Sequence, residues 1–294
     1  MGAFQNVVVG LDLHGVAAMR ILARASQLAD SGDIEVVHVC DHLHHRHEDY
    51  PVGAFRTSEE LDAAEIAAID RALDEACRPF GIDKHQVLDG EPAAAIHAHA
   101  ANGSELVVVG SHGRHGWRLL FGSTPNAVLH GTPCDVLAVH VPEGSDGPEG
   151  SEGPEGEPTV PEKYQRVLVA VDLSEESDQV MAHAKRVADT CAASLVLCHV
   201  VSYLAVDQAA QSLQQARLTD LAAEYGVDRD SVYVVPGRPA AAIHALADEL
   251  HADLIVVGTH GKHGAELVTG STANAVLHGA HCDALSVRLA SSVH

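Results

Sequence analysis

The chain has 294 residues, 46% of them hydrophobic, and a formal net charge of −23 at pH 7 with histidine neutral. That length holds two domains of ordinary size, and an acidic balance with no basic patch argues against nucleic acid as a partner. No apolar run approaches the roughly 20 residues that span a bilayer, so no membrane partner is expected either.

From the N-terminus, residues 6–11 and 34–40 are short β-branched runs separated by an Ala- and Leu-rich stretch over 16–29, the spacing of a strand-helix-strand unit. A helix is predicted over 58–77, a weak strand near 86–88, a helix over 92–101 and a strong strand over 106–110. A helix after Gly122 and a last strand over 135–141 complete the first set. Residues 142–162 carry no Lys, Arg or aromatic side chain and no periodic apolar pattern. They read as a flexible acidic linker, unable to offset their ordering entropy by burial. Strands then return at 166–171, 194–201, 232–235, 254–258 and 284–289, with helices in the intervals. Strands alternating with helices imply an α/β fold, a parallel sheet covered on both faces.

Residues 107–141 return as residues 255–289 with 21 of 35 positions identical and no gap, so the chain is a tandem repeat. Directly after an apolar run, each copy carries Gly-x-x-Gly, eight residues, and then Gly-Ser. Gly110 and Gly113, like Gly258 and Gly261, permit close backbone approach, and Gly122-Ser123 and Gly270-Ser271 open a helical stretch with serine as a favoured N-cap. A polyphosphate fits between such glycines and a helix start; the alternative is a tight strand-to-helix connection. Asp12 and Asp172 follow the first strand of each copy. In an open α/β sheet, ligands gather outside such strand ends.

A strand followed by Asp, a second strand ending His-Val, and G-x-x-G followed at a distance by G-S together resemble the universal stress protein family. The stretches YQRVLVAVDLSEES and GSTANAVLHGAHCD carry the resemblance most clearly. It implies two Rossmann-like domains of the adenine nucleotide alpha hydrolase-like type, over residues 1–141 and 163–294. Each would be a five-stranded parallel sheet with helices on both faces, and the domains would pair through edge strands. It also implies ATP at the glycine loop, as in many members, and Mg2+ is expected with the ATP because it neutralises the phosphates. Carried over by position, Asp172 and Val200 flank the adenosine, Val257 and Gly258 line base and ribose, and His260, Gly261, Gly270, Ser271 and Thr272 surround the phosphates. The first-repeat counterparts are Asp12, Val39, Val109, Gly110, His112, Gly113, Gly122, Ser123 and Thr124. The eight-residue spacer is one shorter than in ATP-binding members. His14 stands where the second repeat has Ser174, and Pro125 where it has Ala273, so the second repeat is the better candidate site.

The 22 histidines include a dense run, His42, His44, His45 and His47, that reads as a solvated loop rather than a metal site, since it lacks a fixed spacing on one element. His38, His199, His97, His99, His244, His130 and His278 read as packed positions. The six cysteines form no C-x-x-C pair, and the start of the chain has no charged, apolar leader; both fit a reducing cytoplasm. Cys134 and Cys282, matched beside the last strand, read as small hydrophobes. No Walker loop, nucleophile elbow or zinc-hydrolase motif occurs, so the expected class is a nucleotide-binding module, with no catalytic residue assigned. The alternatives are a nucleotide-independent scaffold and a slow ATPase or autophosphorylation at Ser271. Pairing of the two repeats within one chain and a homo-oligomer are both open; a last-strand edge is one route to the latter.

Overall fold

A computed structural model describes residues 2–13, 17–40, 58–111, 127–128, 131–141, 161–201, 208–259 and 270–289; the side chains of 58–62 and 208–211 are outside it. The first repeat runs β1 (Val7–Gly10), α1 (Ala17–Leu28), β2 (Ile34–Cys40), α2 (Ser58–Cys77), β3 (Lys84–Asp89), α3 (Pro92–Ala100), β4 (Leu106–Gly110) and β5 (Asp135–Val139). The second runs β6 (Arg166–Ala170), α4 (Ser177–Cys191), β7 (Ser194–Val201), α5 (Gln208–Glu224), β8 (Val232–Pro236), α6 (Pro239–Leu250), β9 (Leu254–Gly258), α7 (Ser271–Gly279) and β10 (Asp283–Val287). Of the first repeat's expected last helix, only residues 127–128 are described.

Each repeat is an α/β unit of five parallel strands, and the two join into one ten-stranded sheet of order β3-β2-β1-β4-β5-β10-β9-β6-β7-β8. The junction is antiparallel, with Leu137 opposite Leu285 and Ala138 opposite Ala284. Leu137 and Leu285 are each other's repeat equivalents, so the junction has the self-complementary form of a two-fold contact. β10 is therefore hydrogen-bonded on both sides, and the ends of the sheet are β3 and β8. Pro236 closes β8, where an edge strand tolerates the missing N–H.

Alternation along the strands divides the core. Val7, Val9, Val167 and Val169 belong to one cluster, which includes Phe4, Leu22, Tyr164 and Met181; Val8 and Leu168 belong to another, with Ile96, Ile243 and Val276. Both clusters draw on both repeats. The helices bury the expected spacing of side chains: Ala18, Ile21, Leu22, Ala25 and Leu28 in α1, and Val180, Met181, Ala184, Val187 and Cys191 in α4. Glu91 caps α3 through Ala93 N and Ala94 N, ahead of Pro92.

Several strands differ from the sequence expectation at their ends, for a local reason. The amides of Val141 and Leu289 donate to Ser111 Oγ (3.1 Å) and Thr259 Oγ1 (3.3 Å) rather than to a ladder carbonyl, so β5 and β10 stop at Val139 and Val287. Asn6, expected in the first strand, has φ 49°, a left-handed turn ahead of β1. The expected linker lies mostly outside the described residues, but its last two residues are held: Gln27 Nε2 donates to Pro161 O (2.8 Å) and Arg24 Nη1 to Glu162 O (2.5 Å).

The repeats are fastened by two reciprocal aspartates. Asp135 Oδ1 accepts from Arg288 N, and Asp283 Oδ1 accepts from His140 N, both at 2.8 Å. Their surroundings differ. Asp283 also accepts from Tyr164 OH (2.8 Å) and pairs with Arg24 Nε (2.6 Å), whose guanidinium lies 4.1 Å from the Tyr164 ring centroid. Asp135 pairs instead with His183 Nδ1 (2.5 Å). Burial, and then Asp283, push the Tyr164 phenol well above its ordinary pKa, so it stays a donor.

Candidate nucleotide site

In the second repeat three strand ends meet three helix starts. β6 leads through Val171 and Asp172 into α4, β7 presents His199 and Val200, and β9 ends at Val257 and Gly258. α6 and α7 begin alongside, at Pro239 and Ser271. Together they enclose a cavity of about 180 Å³. Its walls are largely aliphatic, from Val180, Ile243, Val257, Ala273 and Leu289, with polar groups from Asp172, Ser174, Glu176, Ser177 and Thr272. An apolar slot with a few placed polar groups is the usual composition of a small-molecule site.

The turn after β6 is tied down at each residue. His199 Nδ1 lies 2.8 Å from Val171 O; a carbonyl can only accept, so Nδ1 carries the proton and a neutral ring keeps Nε2 as an acceptor. Asp172 Oδ1 accepts from Ser174 N at 2.9 Å, an Asx turn. Leu173 is held at φ 60°, and its carbonyl accepts from Arg217 Nη2 at 2.9 Å. A buried leucine in the left-handed region costs on the order of 1–3 kcal/mol, and such strain gathers at functional sites. Asp172 is thus fixed at the cavity by backbone that the surrounding residues overdetermine.

Gly258 is needed for packing as well. A Cβ there would lie 2.9 Å from Leu289 Cδ1 and 3.1 Å from Val180 Cγ2, so the glycine lets two cavity walls close on β9. At α7 the sequence expectation of a serine N-cap is corrected. Gly270 is the N-cap, with no side-chain cap bond, and Ser271 is the first helical residue. The backbone amides of the first turn, rather than a hydroxyl, present this helix end to the cavity.

Of the expected second-repeat residues, the structure brings Asp172, Val200, Val257, Gly258 and Thr272 to one cavity and places Gly270 and Ser271 at the α7 start beside it. His260 and Gly261 lie outside the described residues. In the first repeat Asp12, Val39, Val109 and Gly110 stand at the matching ends of β1, β2 and β4. His112, Gly113, Gly122, Ser123 and Thr124 lie outside the described residues, as do His14, Pro125, His130 and the run His42, His44, His45 and His47. Among the described residues no three His, Cys, Asp or Glu side chains gather as a metal site. No described helix is long and apolar enough to cross a membrane.

A larger open groove of about 730 Å³ runs between α5 and the edge strand β8, lined by Gln215, Thr219, Asp220, Arg229 and Pro236 among others. It contains none of the expected residues. The smaller cavity is the candidate because it sits at the carboxyl ends of the central strands.

The universal stress protein family model matches residues 3–140 and, a second time, residues 163–288. The chain belongs to the universal stress protein family. Both repeats are therefore universal stress protein domains. Universal stress protein A homolog 2 of Coxiella burnetii is 36% identical over 145 residues, 45% of this chain and 99% of that protein. A universal stress protein of Mycobacterium tuberculosis is 30% identical over 202 residues, 64% of this chain and 63% of that protein. Among solved structures, a universal stress protein from Archaeoglobus fulgidus covers 99% of both chains with a TM-score of 0.67 at 19% identity, a likeness of fold.

Sequence reasoning missed much of the cavity's wall. Val180, Ile243 and Leu289 carry no motif, and Ser177 ends the stretch YQRVLVAVDLSEES without being assigned to the site; the chain folding brings all four to one cavity, Val180 and Leu289 closing around Gly258. Of the histidines read as packed, His199 and three others are held by backbone carbonyls. His97 Nε2 meets Val128 O (2.9 Å), His244 Nε2 meets Val276 O (2.8 Å), and His38 Nδ1 meets Leu11 O (2.8 Å). Burial pushes the Cys198 thiol up to about 12; burial, then neighbouring carboxylates, does the same for Cys134 and Cys282. Packing rather than thiolate chemistry follows.

Proposed function

We propose that this tandem universal stress protein binds an adenine nucleotide in its second repeat, as ATP with Mg2+, and acts in the cytoplasm as a binding module rather than an enzyme. The supporting observation is the cavity between β6, β7, β9 and the start of α7, which gathers Asp172, Val200, Val257, Gly258 and Thr272 at one place. A slot of about 180 Å³ walled by aliphatic side chains suits a nucleoside, not a triphosphate. The phosphates would extend toward the uncapped start of α7 and the loop carrying His260 and Gly261. Mg2+ would offset the repulsion between those phosphates and the carboxylates of Asp172 and Glu176. The antiparallel β5–β10 junction supports a working unit in which the two repeats pair within one chain, and the sheet ends β3 and β8 are where any homo-oligomer would add.

Isothermal titration of the nucleotide-free protein with Mg-ATP tests this, beside Gly261→Val and Asp172→Asn. Saturable binding that both variants weaken at least tenfold is expected. Neither heat nor thermal stabilisation in the wild type would leave the nucleotide-independent scaffold as the reading, and phosphate release lost on Asp172→Asn would reinstate the slow ATPase.

A further inference from the structure

The cavity of the second repeat contains a hydroxyl that the fold leaves unused. Ser177 is the first residue of α4, is 5% exposed and lines the cavity, and its Oγ has no hydrogen-bond partner among the described residues. It is not the cap: Glu176 holds that position, and Ser177 enters the turn only through its amide, which donates to Ser174 O at 3.2 Å. A buried polar atom without a partner is destabilising, and in native proteins it calls for a water, a ligand or a functional reason.

Helix formation gives no such reason. Alanine is the better helix former, and the matching helix start in the first repeat carries Ala17 and Ala18. The serine distinguishes the second repeat. Its neighbours indicate what it meets. Asp172, Ser174, Glu176 and Ser177 form the polar side of the cavity along the β6–α4 connection, while Val200, Pro239, Ile243 and Val257 form an apolar side. Among the described residues the lining has two carboxylates and no Lys or Arg, a setting that repels a phosphate at this end. A planar base suits the aliphatic side, and a group bearing several hydroxyls suits the polar side.

Resting on the nucleotide reading above, we propose that Ser177 Oγ is a ribose-binding contact that hydrogen-bonds a sugar hydroxyl and makes the second repeat select ribonucleotides over their deoxy counterparts. A serine hydroxyl donates and accepts, so it pairs with a sugar hydroxyl in either sense. A site with a buried polar group rejects the analogue that leaves that group unpaired.

The test is isothermal titration of the full chain with Mg-ATP, Mg-2′-deoxy-ATP and Mg-3′-deoxy-ATP, for the wild type, Ser177→Ala and Ser177→Cys, with ligand-free thermal midpoints recorded in parallel. The wild type is expected to prefer ATP over one of the two deoxy analogues by about 3–10-fold, the range of one neutral hydrogen bond. Both variants should bind ATP weaker by that factor, bind the disfavoured analogue as the wild type does, and keep or raise the ligand-free midpoint. Variants that retain both affinity and discrimination overturn the contact, as do variants whose ligand-free midpoint falls while affinity is unchanged. Failure of the wild type to bind any of the three overturns the nucleotide reading itself, and the contact with it.

Discussion

Replacing Asp283 by asparagine keeps the shape of the side chain and removes one negative charge from a site that is fully buried. Asp283 accepts from His140 N and Tyr164 OH, lies 2.6 Å from Arg24 Nε and 3.8 Å from Arg20 Nη2. The Arg24 side chain is itself only 6% exposed, so solvent cannot replace the lost carboxylate. Removing one member of a buried ion pair costs about 3–5 kcal/mol, because the other charge stays behind. At about 2–4 °C per kcal/mol for a large single-transition protein, the midpoint should fall by roughly 6–20 °C. Asp135→Asn is the control. It leaves His183, whose side chain is 32% exposed and which water can solvate, so about 1–2 kcal/mol is expected. Differential scanning calorimetry with urea titrations on both variants measures the difference. Equal losses for the two would refute the argument that the Arg24–Tyr164 surroundings, rather than the bond across the junction, set the magnitude.

Two further outcomes follow from packing and titration. A Cβ at Gly279 would lie 2.6 Å from His244 Cε1, so Gly279→Ala should displace the ring from Val276 O and cost about 1–3 kcal/mol; adding His244→Ala should recover part of it, and a double-mutant cycle by urea unfolding checks the coupling. Thiols whose folded pKa is raised from 9.0 to about 12 at Cys134, Cys198 and Cys282, and to about 11 at Cys77, hold their protons more tightly folded than unfolded. Their contribution is whole below pH 9 and is lost as pH rises through 11 to 12, so urea midpoints should drop between pH 9 and 11, and less steeply in Cys198→Ala.

The strand order within each repeat was legible because parallel strands buried on both faces read as continuous apolar runs, such as 254–257, and each is separated by a helix-length interval. Asp172 and Gly258 were legible as candidate-site residues because they lie at strand ends and in a glycine loop, and Val257 entered through the family resemblance. Ser177, Val180 and Leu289 were not legible in this way. They come from a helix start, a helix interior and a segment beyond the last strand, and only the absence of a Cβ at Gly258 lets the last two converge. The strand ends were misjudged where Ser111 and Thr259 hydroxyls replace a ladder carbonyl, a substitution made across 30 residues that no local propensity records. The Arg24–Asp283–Tyr164 cluster was equally invisible, since it joins an arginine on an Ala-rich helix face to a carboxylate in the other repeat.

The reciprocal aspartates bear on the cavity as well as on the junction. Asp135, from the first repeat, holds the amide of Arg288, which immediately precedes the wall residue Leu289, and it grips His183 on the same helix that contributes Ser177 and Val180. Two walls of the second repeat's cavity are thus held by a residue of the first. Occupancy and inter-repeat association are then linked functions. A ligand that binds only the joined form favours joining by RT ln(1 + [L]/Kd), about 2.7 kcal/mol at a hundredfold excess over Kd. By the same reciprocity, loosening the junction lowers the affinity for ligand. The first repeat, whatever it binds, is a structural subunit of the second repeat's pocket.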